Sequence, residues 1–378
     1  MSGVSICLGK QEKPRKKRKY LFLLFIIAVI ILVTAASAYI SYVFVVNTKV
    51  KDKEASINID IEKGILIEIP LNSNTASIAK LLKDKGLIKH PYIFRIISKV
   101  NGYDGLYQSG THVVENDPNR DKLPNIIRSY DRLMHILVSK PESIKVTIPE
   151  GYTYKQIVDT LARKKLIDKD KFNRIANWSN FNYQFLSKIP VREYRLEGYL
   201  FPDTYEFDLK ADEKQIIDRM LENFDNKFKP AYYERAKELN MTVDQIIILA
   251  SIIEREAKYA EERKIISGVF YNRLKSKDKA LRKLQSCATI QYIFFYRNGI
   301  IKDKISEQDT KVNDPYNTYL IEGLPPGPIC SPGKASIEAA LYPEATDYLY
   351  FVAKGDGYHQ FSKTLQEHQA AMKKYGVN

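Results

Sequence analysis

Glu256 is the residue of this chain whose type and position best suit acid–base chemistry. It lies near the end of an apolar segment, 242–257, whose period predicts a helix. A step of about 100° per residue places Glu256 in the middle of one apolar stripe. The other members of that stripe are Ile246, Leu249, Ile252 and Ile253. A carboxylic acid in apolar surroundings resists ionisation, so it can hold the proton that a general acid gives. The alternative is a solvated helix end, because helix ends are often polar.

The elements around Glu256 can be read from the same sequence. Thr242 and Gln245 have the spacing of a capping box and predict where its helix begins. Glu254 projects away from the stripe, and we expect it to form an ion pair on another face. Further predicted elements are an aromatic, turn-rich segment at 195–207, an amphipathic helix at 265–274, a buried strand at 348–352 and a polar turn at 355–361.

The amino-terminal region predicts a membrane anchor. Residues 20–48 carry no charge, and a bilayer core needs roughly 20 apolar residues. The first 19 residues supply +6 of the formal net charge of +14. The positive-inside rule therefore places them in the cytoplasm and everything after residue 50 outside. The alternative is a signal peptide cleaved after Ala36-Ser-Ala38, but the length of the apolar run favours a retained anchor.

An internal repeat follows, in which residues 67–82 match residues 146–161 at an offset of 79. The matched pairs are Ile69/Ile148, Pro70/Pro149, Ile78/Ile157, Leu82/Leu161, Leu87/Leu166, Ile88/Ile167 and Ile96/Ile175. Each copy predicts a strand, a turn and a helix, then a Leu-Ile stop and a second helix. Two copies favour a small duplicated α+β module, which resembles the LysM-type modules that hold glycan chains. The alternative is a spacer that sets the distance from the membrane.

The composition argues against other classes of site. The remaining charge of +8 is spread along the chain without a nucleic-acid-binding motif, so we expect no nucleic-acid partner. It would suit an anionic surface such as lipid headgroups or cell-wall polymer, although a solvated face is the simpler interpretation. The five histidines are scattered, which predicts no metal site. The three cysteines are Cys7, Cys287 and Cys330, and three do not make a disulfide framework.

Seven segments match one enzyme family in the same order. They are 196–205, 250–257, 268–274, 316–319, 323–327, 331–333 and 348–353. Through them the chain resembles the endolytic murein transglycosylases, the MltG or YceG-like family, over nearly its whole length. The resemblance implies a lyase that needs no cofactor. It would cleave the β-1,4 bond between N-acetylmuramic acid and N-acetylglucosamine inside peptidoglycan glycan strands, and leave 1,6-anhydro-muramic ends.

The resemblance places the catalytic glutamate on Glu256. Residues similar to those of the family's substrate cleft are Glu197, Tyr199, Gln285, Ser286, Asn317, Thr318, Tyr319 and His359. Structural alternatives exist for several of them. The two tyrosines are the aromatic type more often found in cores or turns, Asn317 and Ser286 could cap local turns, and His359 is a loop residue.

One position departs from the family pattern, because Cys287 stands where the family usually has an aspartate. Either this enzyme does without that carboxylate or another group replaces it. Cys287 has no adjacent base that would activate it as a nucleophile. A disulfide between Cys287 and Cys330 is a further hypothesis.

The sequence thus predicts an α+β protein with five parts. They are a cytoplasmic basic tail (1–19), a transmembrane helix (20–48), a first LysM-like repeat (57–140), a second repeat (143–194) and an α+β catalytic domain (195–378). The expected location is the cytoplasmic membrane, with partners among peptidoglycan strands and peptidoglycan synthases, and a role in trimming or terminating new strands. The rival functions are a hydrolytic muramidase and a non-catalytic cell-wall-binding scaffold.

Overall fold

The computed structural model describes residues 15–47, 65–114, 126–302 and 304–376. Within them the chain forms helices and two-stranded antiparallel sheets, the α+β mixture that the sequence predicts. Two compact units divide the chain, Met1–Glu142 and Ser143–Asn378. Each has its own core of buried apolar side chains.

The first unit begins with helix α1, Arg15–Asn47. Its segment Lys19–Val43 is, by length and composition, able to cross a membrane. The predicted span, 20–48, therefore coincides with one continuous helix as far as Asn47. Of the predicted basic tail, residues 1–14 lie outside the described residues, and Cys7 with them.

The rest of the first unit is a small α+β fold. Its elements are β1 (Ile65–Ile69), α2 (Thr75–Asp84), α3 (Pro91–Val100), β2 (Gly110–Val114) and α4 (Ile126–Val138). β1 and β2 are antiparallel, with Ile67 opposite His112. Asn74 begins α2 by accepting a hydrogen bond from Ser77 N–H at 2.8 Å. The fully buried Phe94 of α3 lies in the core of this unit.

The second unit opens with a similar order of elements. They are β3 (Ser143–Thr147), α5 (Tyr154–Arg163), α6 (Lys169–Trp178) and β4 (Thr204–Asp208). β3 pairs with β4 in antiparallel register, with Val146 opposite Tyr205. The structure therefore differs from the predicted boundary between residues 194 and 195, because a strand from beyond that boundary completes the sheet that β3 begins. Residues 143–378 are one compact unit.

The two copies of the repeat can be compared element by element. α2 and α5 keep the offset of 79, and the paired residues Ile78 and Ile157 are both buried. The second helices, α3 and α6, are offset by 78 instead. Their fully buried residues Phe94 and Phe172 follow the same offset, so the predicted pairing of Ile96 with Ile175 is wrong by one residue. Whether the copies are LysM-like modules stays a prediction.

The remaining elements build the region around Glu256. They are α7 (Glu213–Lys227), α8 (Pro230–Glu238), α9 (Val243–Glu256), α10 (Arg263–Leu274), α11 (Cys287–Asn298), α12 (Lys334–Leu341), β5 (Tyr350–Ala353), β6 (His359–Ser362) and α13 (Leu365–Tyr375). α9 begins with the predicted capping box, in which Gln245 N–H donates to Thr242 Oγ1 at 3.1 Å and Thr242 N–H donates to Gln245 Oε1 at 2.8 Å.

α9 is buried on more than the one stripe that the sequence predicts. Ile247 and Ala250 lie outside that stripe, and both have no exposed surface. A helix that is apolar on all sides lies inside a protein, so α9 is a central element of the second unit. Its last residue is Glu256.

Candidate active site

Glu256 lies half-buried where α9 ends and α11 begins. Ser286, which directly precedes α11, donates a hydrogen bond from its hydroxyl to Glu256 Oε1. The backbone N–H of Ala288, in the first turn of α11, is a second donor to the carboxyl. The positive end of the α11 dipole thus lies against the carboxyl.

Burial raises the pKa of the Glu256 carboxyl above its ordinary value. The Ser286 hydroxyl, the charge of His359 and the Ala288 N–H act in the opposite direction without cancelling that effect. The carboxyl therefore keeps its proton more readily than a solvated one. The same donors stabilise its anion once the proton has left, which suits a group that gives a proton and takes one back.

The loop before α11 is held from two sides, so Ser286 has a fixed position. Gln285 N–H donates to Thr318 O, and Ser286 N–H donates to Thr318 Oγ1, both at 3.0 Å. Arg273 donates to Gln285 Oε1. Gln285 has a φ of 54°, in the left-handed region that residues with a side chain rarely adopt. Ser286 and Thr318 are buried, whereas Gln285 is exposed.

The sequence left open whether Asn317 contacts substrate or caps a local turn, and the structure gives it the second role. It is fully buried, and its side-chain nitrogen donates to Thr310 O at 2.9 Å and to Val312 O at 2.7 Å. Its Oδ1 accepts from Tyr319 N–H at 2.9 Å. Asn317 therefore shapes the turn that carries Thr318 and Tyr319 and has no surface with which to contact a substrate.

Cys287 and Tyr319 lie together beside Glu256. The Cys287 thiol is exposed, and its Sγ is 3.1 Å from the Tyr319 hydroxyl. The charge of Glu256 acts on both groups. The hypothesis of a disulfide between Cys287 and Cys330 is wrong, since both thiols are free. Cys330 is fully buried in the core, with its Sγ 3.3 Å from Ser251 O.

His359, at the start of β6, is bound by Glu262. The Glu262 carboxylate accepts from His359 N–H at 3.0 Å and contacts His359 Nδ1 at 2.8 Å. Glu262 is buried and His359 is half-buried, with side-chain exposed fractions of 7% and 9%. A carboxylate can only accept, so Nδ1 carries a proton and the ring has a fixed orientation.

Glu262 is the functional residue that the sequence analysis missed. Its sequence signal is weak, because it is one of two adjacent glutamates, Glu261 and Glu262, at the start of α10. Only the fold brings Glu262 to His359, 97 residues further along the chain. Glu261 instead is exposed and accepts from the Tyr358 hydroxyl at 2.9 Å.

Tyr199 and Glu197 belong to the core and are not brought to Glu256. Tyr199 has no exposed surface, and its hydroxyl donates to Asp244 Oδ1 at 2.7 Å. Asp244 also forms an ion pair with Arg192 at 2.8 Å. Because Asp244 is in the first turn of α9, Tyr199 anchors the end of that helix opposite to Glu256, roughly 18 Å away along the axis.

Glu197 is a buried acid with few partners. Its Oε1 accepts from Tyr154 N–H at 2.9 Å and its Oε2 from the Tyr292 hydroxyl at 3.3 Å. Burial raises the pKa of Glu197 to about 8. Glu197 therefore joins α5 to α11 inside the core and remains protonated in the folded protein at neutral pH.

We expect Glu197→Gln to stabilise the protein at alkaline pH. The folded pKa is raised, so between pH 4.5 and about 8 the unfolded chain loses a proton that the folded chain keeps. Stability from this group is therefore lost as the pH rises, by roughly 2–5 kcal/mol above pH 8. Urea unfolding followed by circular dichroism should show no gain at pH 5 and a gain at pH 8.5. Glu193→Gln, at an exposed position, is the control; a pH-independent gain for Glu197→Gln would contradict the argument.

Glu254 forms the ion pair that the sequence predicts. Its Oε1 lies 3.7 Å from Arg263, and its Oε2 accepts from Gly333 N–H at 3.0 Å. It therefore stabilises the start of α12 and the contact between α9 and α10. The two carboxyls of the Glu254-Arg-Glu256 triplet thus have different surroundings.

Within the described residues no group of three or more His, Cys, Asp or Glu side chains is placed to hold a metal ion. The groups that gather at Glu256 are hydroxyls, a backbone amide, a thiol and an imidazole. One half-buried acid with such neighbours is typical of an enzyme that transfers protons with a single carboxyl.

Comparison with known proteins identifies the family. The model of the YceG-like family matches residues 67–374, and the chain belongs to this family. A relative from Bacillus subtilis named endolytic murein transglycosylase is 32% identical over 336 residues, which are 86% of each chain. A Streptococcus pneumoniae relative of the same name is also 32% identical and matches 83% of this chain, but the match spans only 58% of that longer protein.

A solved structure agrees with the fold. The crystal structure of a yceG-like protein from Listeria monocytogenes is 32% identical to this chain and has a TM-score of 0.51. The match covers 81% of this chain and 98% of the other. The chain is thus a member of a family whose curated relatives are lytic transglycosylases, which are lyases.

Proposed function

We propose that this protein is an endolytic murein transglycosylase that cleaves the bond between N-acetylmuramic acid and N-acetylglucosamine inside peptidoglycan strands and leaves 1,6-anhydro-muramic ends. The observation that carries the proposal is the half-buried Glu256, with its raised pKa, beside Ser286 and the charge of His359. The names of the relatives support the same substrate.

Glu256 can serve both halves of this reaction. As an acid it gives its proton to the glycosidic oxygen, and the bond from that oxygen to the anomeric carbon breaks. As a carboxylate it then takes the proton of the sugar's own 6-hydroxyl, whose oxygen forms the new bond to the anomeric carbon. Ser286 and Ala288 stabilise the carboxylate between the two steps. No water is consumed, and Glu256 ends as it began.

The substrate cleft is formed by fewer residues than the resemblance implies. Tyr319 and His359 reach the region of Glu256, together with the thiol of Cys287. Gln285 is exposed next to Ser286. Of the other predicted substrate residues, Ser286 donates to Glu256. Asn317 and Thr318 are buried behind the loop that carries Tyr319, and Glu197 and Tyr199 are buried in the core away from Glu256. We assign these last four a structural role.

The position of the family aspartate, 287, favours the lyase over a hydrolytic muramidase. A hydrolase needs a second carboxyl across the cleft, as a base for water or as a nucleophile. Here a thiol occupies the position, and the neighbouring carboxyls Glu254 and Glu262 are bound to Gly333 and to His359. A mechanism with a single carboxyl needs only Glu256 and neither of these two carboxylates.

The mass of the products distinguishes the two reactions. We expect wild-type protein to release muropeptides from purified glycan strands with ends that are lighter by one water than ordinary reducing ends, because the 6-hydroxyl and not water attacks. Borohydride, which reduces only free reducing ends, should leave these products unchanged. Products with reducing ends would identify a muramidase, and no products at all would favour the scaffold.

The protein acts from the membrane in this proposal. The helix segment Lys19–Val43 serves as a single-pass anchor, with the basic residues before it in the cytoplasm and the rest of the first unit and the second unit outside. The active site is then tethered near the place where lipid-linked strands emerge. This location suits trimming or terminating new strands alongside peptidoglycan synthases.

A further inference from the structure

Helix α3 of the first unit is apolar on two opposite faces. Phe94 and Ile97 on its inner face are buried. On its outer face, Tyr92, Ile96 and Val100 are 76%, 62% and 78% exposed. They are four residues apart, so they form a continuous stripe along the helix. A stripe of this kind on a folded domain marks a surface that contacts something else.

The same outer face carries positive charge. Arg95 and Lys99 are exposed and lie next to the stripe, and the Arg95 guanidinium is 5.7 Å from the centroid of the Tyr92 ring. All five exposed side chains of α3 fall within an arc of about 140°. Three of them are apolar, two are basic and none is acidic. Apolar residues beside basic ones are typical of helices that lie on an anionic lipid surface.

The second copy of the repeat does not continue this stripe. Under the offset of 78, α6 has Asp170, Arg174 and the exposed Trp178 at the positions of Tyr92, Ile96 and Val100, so two of the three apolar side chains are replaced by charged ones. The first copy is also the one next to the anchor. Seventeen residues separate Asn47, the end of α1, from Ile65, and they span at most roughly 60 Å when fully extended. The tether therefore limits how far the first copy can move from the membrane and allows α3 to reach it.

We propose that the outer face of α3, formed by Tyr92, Arg95, Ile96, Lys99 and Val100, docks on the anionic lipid surface of the membrane that holds α1. This inference rests on the anchor in the proposed function and adds a second attachment. The apolar stripe enters the interface between headgroups and acyl chains, and the two basic side chains contact lipid phosphates. The first unit then lies on the membrane instead of moving freely at the end of its tether.

Tryptophan quenching in vesicles tests the proposal with the full chain. The chain has one tryptophan, Trp178, which is exposed on α6, so Trp178→Phe gives a background without tryptophan. Tyr92→Trp and the matched control Asp170→Trp are made in that background. Each is reconstituted into vesicles of phosphatidylcholine and phosphatidylglycerol with brominated acyl chains in both leaflets.

We expect bromine to quench the emission of the Tyr92→Trp variant roughly twofold more than that of the Asp170→Trp variant. Added Arg95→Glu and Lys99→Glu changes, or vesicles of phosphatidylcholine alone, should reduce that difference. Equal quenching of the two variants would overturn the proposal, as expected if the stripe binds a glycan strand or a protein instead. If the Arg95→Glu and Lys99→Glu changes and the uncharged vesicles leave the excess quenching unaltered, the assignment to anionic lipid would be overturned.

Failure of the anchor gives a different result. If α1 does not span the membrane, the chain will not float with vesicles after an alkaline carbonate wash. That outcome refutes the anchor and with it the tether on which the docking depends. A chain that floats but shows no excess quenching refutes the docking alone.

Discussion

Glu256→Gln should reduce the release of anhydro-ended products by roughly a thousandfold or more, within the range that general acid–base groups contribute. Glutamine keeps the size of the side chain and an oxygen that accepts from the Ser286 hydroxyl, but it has no proton to give. The raised pKa of Glu256 adds a second expectation. Because wild-type activity needs the protonated acid, it should fall only as the pH rises past that raised pKa.

The matched control is Glu254→Gln, which removes the same charge two residues away. Glu254 is bound to Gly333 and Arg263, so this variant should lose stability and retain its turnover rate. Glu256→Gln should unfold at the same temperature as the wild type or a higher one at neutral pH, since it removes an acid that burial penalises when ionised. Equal release of anhydro products by wild type and Glu256→Gln would refute the mechanism.

Glu262→Gln should lower kcat by roughly tenfold to a hundredfold with little change in KM, because a hydrogen bond to a charged group contributes roughly 1.5–3 kcal/mol. Without the carboxylate, the His359 imidazole is no longer held in its position by Glu262. The charge of His359 lowers the pKa of Glu256, so displacement of the imidazole moves the pKa of Glu256 further up. The alkaline limb of the pH–rate profile should therefore shift to higher pH in this variant.

Glu261→Gln is the control for that change, because it removes a neighbouring, exposed carboxyl that is bound to Tyr358 instead. It should leave both kcat and the pH profile unchanged. A Glu262→Gln variant with lower stability but a wild-type rate and pH profile would show that Glu262 only supports the fold. The shift of the profile is the result that a purely structural role does not give.

Local signals in the sequence predicted much of this fold. The capping box at Thr242 and Gln245 fixes the start of α9 through neighbouring residues, so a short pattern was sufficient. The uninterrupted apolar run predicted α1 in the same way. The position of Glu256 on that central helix also followed from periodicity alone.

The features of the site that the sequence did not predict depend on contacts between distant segments. The bond from Glu262 to His359 joins the start of α10 to a hairpin, and no local pattern records it. Tyr199 resembles a sugar-binding aromatic in its motif, but the fold places it against Asp244 in the core. The stripe also understated how fully α9 is enclosed, because periodicity shows which face is most apolar and not how many neighbours surround the helix.

The pairing of β3 with β4 limits where this protein can be truncated. A chain that begins at residue 195 would leave β4 without its partner and expose an unpaired strand edge, which invites aggregation. The hydrogen bonds between Ser331 and the segment at Gly151 and Tyr152 would be lost as well. We therefore expect a stable catalytic fragment to begin no later than Ser143, with the segment 143–194 kept together with the residues around Glu256.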